Sequence, residues 1–357
     1  MALQFATAVK RIPVYPAGAG YAQTGPLVLL ESNESPYPPL PEVVAAASAA
    51  VAGANRYPDP NSVALRAALA ERYGVPADQI TVGNGSCDVL LAAGLALLEP
   101  GTELVYAWPS FSVYPQLEAI SGAKAVTVAL DADERHDLDA IAAALTPRTR
   151  LVIVCNPNNP TSTAVPFAQV ESFLAAIPEG VCVMIDEAYC EFNSLDAPDA
   201  TIALLARYPQ LVLLRTFSKV YGLCGLRVGF ALCGSPELPQ ALKLIRQPFF
   251  ANAAAQAAAL EALRHPEEVA RRVSAAQAGR AELLASLHEL GLSAAATETN
   301  FVWFDLGRDD VEIVAGLAQR GVMVRAGSAL GRAGALRVTC GTPQENASFI
   351  AALRELI

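Results

Sequence analysis

Two stretches, LVIVC (Leu151–Cys155) and VCVMID (Val181–Asp186), are apolar throughout until an aspartate closes the second. A strand wetted on one side alternates apolar and polar residues, so these must be covered on both faces, as strands of a parallel sheet are. Further short β-rich runs lie at Ile80–Val82, Glu103–Ala107, Ala125–Val128, Leu211–Thr216 and Val228–Leu232, with helical stretches between them. Such alternation predicts an α/β unit with a mostly parallel, doubly wound sheet. Beyond Pro248 the pattern changes: helical segments at Ala251–His265 and Glu267–Leu290 lead into FVWFDL, VMVRA and ALRVTC. That reads as a smaller α+β unit. The 357 residues exceed the roughly 250–300 at which single cores stop growing. The expected division is an arm at 1–40 that joins the small unit or a dimer contact, a large domain at 41–255 and a small one at 256–357.

Charge and composition remove several classes of function. The formal net charge is -10 and no basic stripe is visible, which argues against a nucleic-acid partner. An acidic protein that handles an anion must concentrate cations locally, so individual arginines become informative. The seven cysteines are scattered without a CxxC pair and the three histidines are isolated, so no metal site is expected. No run reaches the about 18–20 uninterrupted apolar residues of a membrane span. A reduced, cytoplasmic enzyme is the expectation.

Ligands of parallel sheets bind at the carboxyl ends of the strands. LVIVC is followed by Asn156-Pro157-Asn158-Asn159-Pro160-Thr161, VCVMI by Asp186-Glu187-Ala188-Tyr189, and LVLLR by Thr216-Phe217-Ser218-Lys219, with Arg227 beyond. Gly83-Asn84-Gly85-Ser86 precedes the helix at Val89. Alone, a strand-end aspartate is a helix cap or a turn residue. Four such segments at one sheet edge describe a site.

The set GNGS, WPSF, NPNNPT, DEAY, TFSK and LRVG resembles the fold-type I, pyridoxal-phosphate-dependent aminotransferases, in the family's order and across almost the whole chain. The resemblance implies pyridoxal 5'-phosphate as cofactor, whose aldehyde, pyridine nitrogen, phenolic oxygen and phosphate each need a partner. It makes Lys219 the Schiff-base lysine and proton carrier, a task that a lysine of lowered pKa performs well. Asp186 pairs with the protonated pyridine nitrogen, which offsets the cost of burying a carboxylate. Tyr189 and Asn159 bind the phenolic oxygen, and Phe111 stacks on the ring. Gly85, Ser86 and Cys87, with Thr216, Ser218 and Arg227, form the phosphate cup at a helix start. Cys87 stands where the family more often has an acid and Ser162 where it has glycine. Tyr57, in NRYPDP, would reach the phosphate across a homodimer interface, so that each site is shared.

The donor is less constrained. Ser32-Asn33-Glu34-Ser35-Pro36-Tyr37 and Val14-Tyr15-Pro16 resemble the arm of histidinol-phosphate aminotransferases. Tyr15, Asn33, Arg325 and Arg337 are the implied substrate residues, the arginines serving a phosphate or a carboxylate. Histidinol phosphate with 2-oxoglutarate is therefore expected, in histidine biosynthesis. An aromatic amino-acid aminotransferase and a threonine-phosphate decarboxylase are the readings nearest to it, and a catalytically silent binding protein is the alternative from another class.

Overall fold

The computed structural model describes residues 3–5, 7–10, 12, 20 and 25–357. Its strands fall where the apolar runs place them. After β1 (Val28–Leu29) come helices α1 (Pro41–Val51) and α2 (Val63–Tyr73), then β2 (Ile80–Gly83) and α3 (Ser86–Leu97). The series continues through β3 (Glu103–Trp108), α4 (Tyr114–Ser121), β4 (Lys124–Ala129), α5 (Leu138–Ala143), β5 (Thr149–Cys155) and α6 (Phe167–Ala176). It closes with β6 (Cys182–Asp186), β7 (Leu211–Thr216), β8 (Gly229–Cys233), α7 (Glu237–Ile245) and α8 (Ala253–Ala262).

Strands β2 to β8 form one seven-stranded sheet in the order β2-β8-β7-β6-β5-β3-β4. Side chains from successive residues enter opposite cores, which is why the runs are apolar throughout. Val152, Val154, Val183 and Ile185 pack with α1, α2, α5, α6 and α8. Leu151, Ile153 and Met184 pack with α3, α4 and α7 on the other face. The sheet is parallel except at β8, which runs antiparallel to both β7 and β2. Only a 3-10 turn at Cys224–Leu226 joins β7 to β8, so no crossover helix carries the chain back for a parallel return.

The second unit holds α9 (Pro266–Glu289), β9 (Phe301–Asp305), α10 (Asp310–Gln319), β10 (Val322–Met323), β11 (Arg325–Ala326), β12 (Ala335–Thr339) and α11 (Pro343–Arg354). Strands β11, β12 and β9 form an antiparallel sheet, and β1 of the arm pairs with β10. Leu30 is buried in the same core as Val302, Phe304 and Phe349. Helix α8, which straddles residue 255, packs instead in the large core through Ala255, Ala258 and Ala259. We therefore propose the division between the units in the turn after α8. Among the described residues no helix is long and apolar enough to cross a membrane.

The fold brings the ends of β2, β6 and β7 to one edge. There Gly229 of β8 lies opposite both Gly83 and Thr216. A Cβ on Gly229 would sit 2.4 Å from the Ser86 backbone nitrogen, so the strand approaches the start of α3 as closely as only glycine permits. Gly229→Ala should therefore displace that loop and lower unfolding free energy by about 1–3 kcal/mol, the usual cost of overpacking. Urea denaturation checks it; an unchanged midpoint would contradict the packing.

Candidate active site

At the carboxyl edge the strand ends enclose a cavity of about 670 Å³, within the range of small-molecule and cofactor sites. Its walls include Ser86, Cys87, Phe111, Asn159, Asp186, Tyr189, Thr216, Ser218, Lys219 and Arg227 from the large unit. Asn33 of the arm and Arg325 and Arg337 of the small sheet complete it. These are sequence-predicted residues, gathered from segments nearly the length of the chain apart.

Asp186 ends β6, and burial pushes its carboxyl up to about 6. The Tyr114 hydroxyl donates to its Oδ2 at 2.9 Å and the Ala188 N–H to its Oδ1 at 3.2 Å, and both hold the ionised form against that pressure. Tyr114 escaped the sequence reading. It lies three residues beyond Phe111 and opens α4, packing edge-on against that ring. The spacing within WPSFSVYP was the available signal.

Lys219 donates from Nζ to the Ser32 carbonyl at 3.2 Å and lies over the Tyr189 ring. Desolvation first, and then the positive charge of Arg337, lower its pKa to about 8. The neutral, nucleophilic amine is thus accessible at mildly alkaline pH. Tyr189 is buried and its pKa is raised by desolvation, so the phenol keeps its proton. Asn33 Nδ2 donates to its oxygen at 2.9 Å. Asn33 is itself fixed in a left-handed conformation, its backbone N–H bonded to the Thr339 hydroxyl of β12.

Arg337 donates to Asn159 Oδ1 and to the Glu31 carbonyl, each at 2.6 Å. With its oxygen so engaged, the Asn159 amide keeps its NH₂ as a donor. The loop carrying it is clasped by paired bonds between the Asn156 side chain and the Val165 backbone. Ser162 adopts φ 63°, the left-handed conformation that glycine favours, and its hydroxyl bonds the Thr161 carbonyl and Thr297. The turn keeps the shape a glycine would give it.

At the start of α3, Gly85 takes φ 82°, and a Cβ on it would lie 2.4 Å from Arg227 Nη2. The bare backbone and the guanidinium press together at a helix N-terminus, a ready anion site. Thr216 Oγ1 accepts from the Ser218 N–H at 3.0 Å beside it. Cys87 lies in the first turn of α3 with its thiol pushed up by burial, so it stays protonated. Besides these, Leu91, Val113, Gln116, Cys224 and Glu34 line the cavity without having been anticipated. Tyr57 is 80% exposed and stacks on Phe249 at 4.3 Å, outside this cavity. Tyr15 lies outside the described residues.

The sequence profile described as aminotransferase class I and II matches residues 26–353. The chain belongs to that family. It is a pyridoxal-phosphate-dependent aminotransferase of fold type I. It is 46% identical over 334 residues to a protein of Cupriavidus pinatubonensis named histidinol-phosphate aminotransferase 1, covering 93% of this chain and 88% of that one. It is 43% identical over 344 residues to an aromatic amino acid aminotransferase of Streptomyces avermitilis, covering 96% and 94%. Among solved structures, histidinol-phosphate aminotransferase from Sinorhizobium meliloti in complex with pyridoxal-5'-phosphate superposes with a TM-score of 0.89 at 28% identity, covering 100% of this chain and 99% of that one.

The cavity suits the cofactor on its own terms: an amine of lowered pKa, a buried carboxylate needing a cationic partner, and a glycine-lined helix start against an arginine. The apoenzyme therefore gives a pH test. Acylation of Lys219, followed by peptide mass spectrometry, should rise with a midpoint near 8. In Arg337→Gln that midpoint should move upward, because one lowering charge is gone. A wild-type midpoint near the ordinary lysine value would contradict the assigned environment.

Proposed function

We propose that the enzyme transfers the amino group of histidinol phosphate to 2-oxoglutarate, giving imidazole-acetol phosphate and glutamate. The observation that supports this most is the pairing of Arg325 with Arg337. They face each other across β11 and β12, both are buried, and both line the cavity. Two guanidinium groups brought together out of water favour an anion of charge near two, which a phosphate monoester supplies and a single carboxylate does not. Relatives at 46% and 44% identity are named histidinol-phosphate aminotransferases. The carboxylates of 2-oxoglutarate use the same cations in the second half-reaction.

The bound cofactor supplies an aldehyde that takes up the amino group and a ring that withdraws the electron pair left at the α-carbon. The protein's own groups do the rest. Asp186 holds the charge on the pyridine nitrogen, and Tyr189 O–H with Asn159 N–H donates to the phenolic oxygen. Phe111 stacks on the ring, while Gly85, Ser86 and Cys87 backbone groups, Thr216, Ser218 and Arg227 bind the phosphate. Lys219 Nζ takes the proton from the substrate α-carbon and delivers it on the cofactor side. Asn33 keeps Tyr189 in place, and Tyr15 is assigned to binding the donor's phosphate. The enzyme works as a homodimer in which exposed Tyr57 enters the partner's site. The cytoplasm suits its seven free thiols.

A second reading, an aromatic amino-acid aminotransferase, is favoured by the apolar wall of Leu91, Phe111 and Val113 and by relatives of that name. A donor screen with variants separates them. Arg325→Ala should cost histidinol phosphate about 2–4 kcal/mol in kcat/KM, the scale of truncating one partner of a buried charge pair. Phenylalanine should lose under about tenfold, because its carboxylate needs only Arg337. Arg337→Ala should impair both donors. Equal losses for the two donors in Arg325→Ala would overturn the phosphate assignment.

A further inference from the structure

Behind the proposed phosphate cup lies an arginine that touches no part of the cavity. Arg246 follows α7, and its side chain is 5% exposed. Its Nη1 donates to the Val82 carbonyl at 2.6 Å and to the Thr81 hydroxyl at 3.0 Å, gripping the end of β2. Its Nε stands 3.4 Å from Asp88 Oδ2, and its guanidinium lies 4.7 Å from the Phe250 ring centre. The same Asp88 oxygen accepts the Asn84 backbone N–H at 3.0 Å. A Cβ on Gly83 would meet Asp88 Oδ2 at 3.0 Å, so the loop is folded tightly onto this carboxylate.

Asp88 sits in the first turn of α3, the turn whose dipole also attracts the phosphate. A carboxylate there shapes the loop but repels a dianion bound at the same helix turn. Partly buried charges at such range are screened far less than surface ones. Arg246 approaches from the side away from the cavity, where it can offset that repulsion without meeting the ligand.

We infer that Arg246 is a positioning residue for the cofactor phosphate, neutralising Asp88 so that the Gly83–Ser86 loop keeps its shape without repelling the anion. The inference rests on the phosphate binding at Gly85 and Ser86. It makes the cup two-sided: Arg227 faces the anion from within the cavity, and Arg246 cancels the carboxylate behind it.

The test titrates apoenzyme with pyridoxal phosphate and, separately, with unphosphorylated pyridoxal, following absorbance and tryptophan fluorescence. Arg246→Met should weaken pyridoxal phosphate about tenfold, the scale of one partly screened charge, and leave pyridoxal unchanged. Adding Asp88→Asn to that variant should recover most of the loss, a rescue that a merely structural arginine would not show. Should the methionine disturb packing on Phe250, Arg246→Gln carries the same two expectations. Wild-type affinity for pyridoxal phosphate, equal weakening of both ligands, or no rescue by Asp88→Asn would each overturn the inference. Arg227→Met separates the two claims, since it should weaken pyridoxal phosphate at least as much. If it binds as wild type, the placement of the phosphate has failed, and the role of Arg246 with it; if only Arg246→Met binds as wild type, the relay alone has failed.

Discussion

A carboxylate ending a wholly apolar strand sets the terms for the rest of this site. Asp186 cannot be buried ionised without partners, and the two it has, Tyr114 and the Ala188 N–H, hold it only part of the way. The remaining demand is for a cation, the part we propose for the cofactor's protonated ring nitrogen. The next residue meets the same difficulty differently. Glu187 is buried and paired at 2.8 Å with Arg215, which also reaches Asp199 at 2.6 Å. One carboxylate is satisfied by an ion pair within the protein, while its neighbour is hydrogen-bonded by neutral donors.

Distant segments then become one machine through backbone carbonyls as much as side chains. The Ser32 carbonyl holds Lys219, and the Glu31 carbonyl holds Arg337. Arg272 of α9 donates to the Pro38 carbonyl at 2.6 Å, and a Cβ on Gly222 would lie 2.4 Å from its Nη1. The arm is thus clamped between the small unit and the loop just after the lysine. Glu134 likewise ties the Thr161–Thr163 segment of the large unit to the small sheet. Its carbonyl accepts from Thr161 and Thr163 and its carboxylate from Trp303 Nε1, besides pairing with Arg332.

Strands such as β5, β6, β7 and β8 were legible because nearly every residue in them is buried, whereas the edge strand β4 was marked by its β-rich composition alone. The reversed direction of β8 was not legible, since an antiparallel strand buried on both faces has the same composition. The residues that would contact the cofactor stand at strand ends, where polar groups interrupt apolar runs, and local sequence exposes them. The contacts that hold those groups were hidden, because the partners are far apart in sequence: Tyr114, not anticipated, acts 72 positions from Asp186, and Asn33, expected only at the substrate, acts 156 from Tyr189. Ser162 shows a third case. It stands where the family has glycine, and hydrogen bonds from its hydroxyl accompany a left-handed backbone.

The claim on which the account stands is that Lys219 alone holds the cofactor covalently. The chain has four lysines, Lys10, Lys124, Lys219 and Lys243, which makes the measurement unambiguous. Holoenzyme reduced with borohydride and digested should carry the phosphopyridoxyl mass on the peptide containing Lys219 and on no other. A stoichiometric label on any of the other three, or none on Lys219 in fully loaded enzyme, would contradict it.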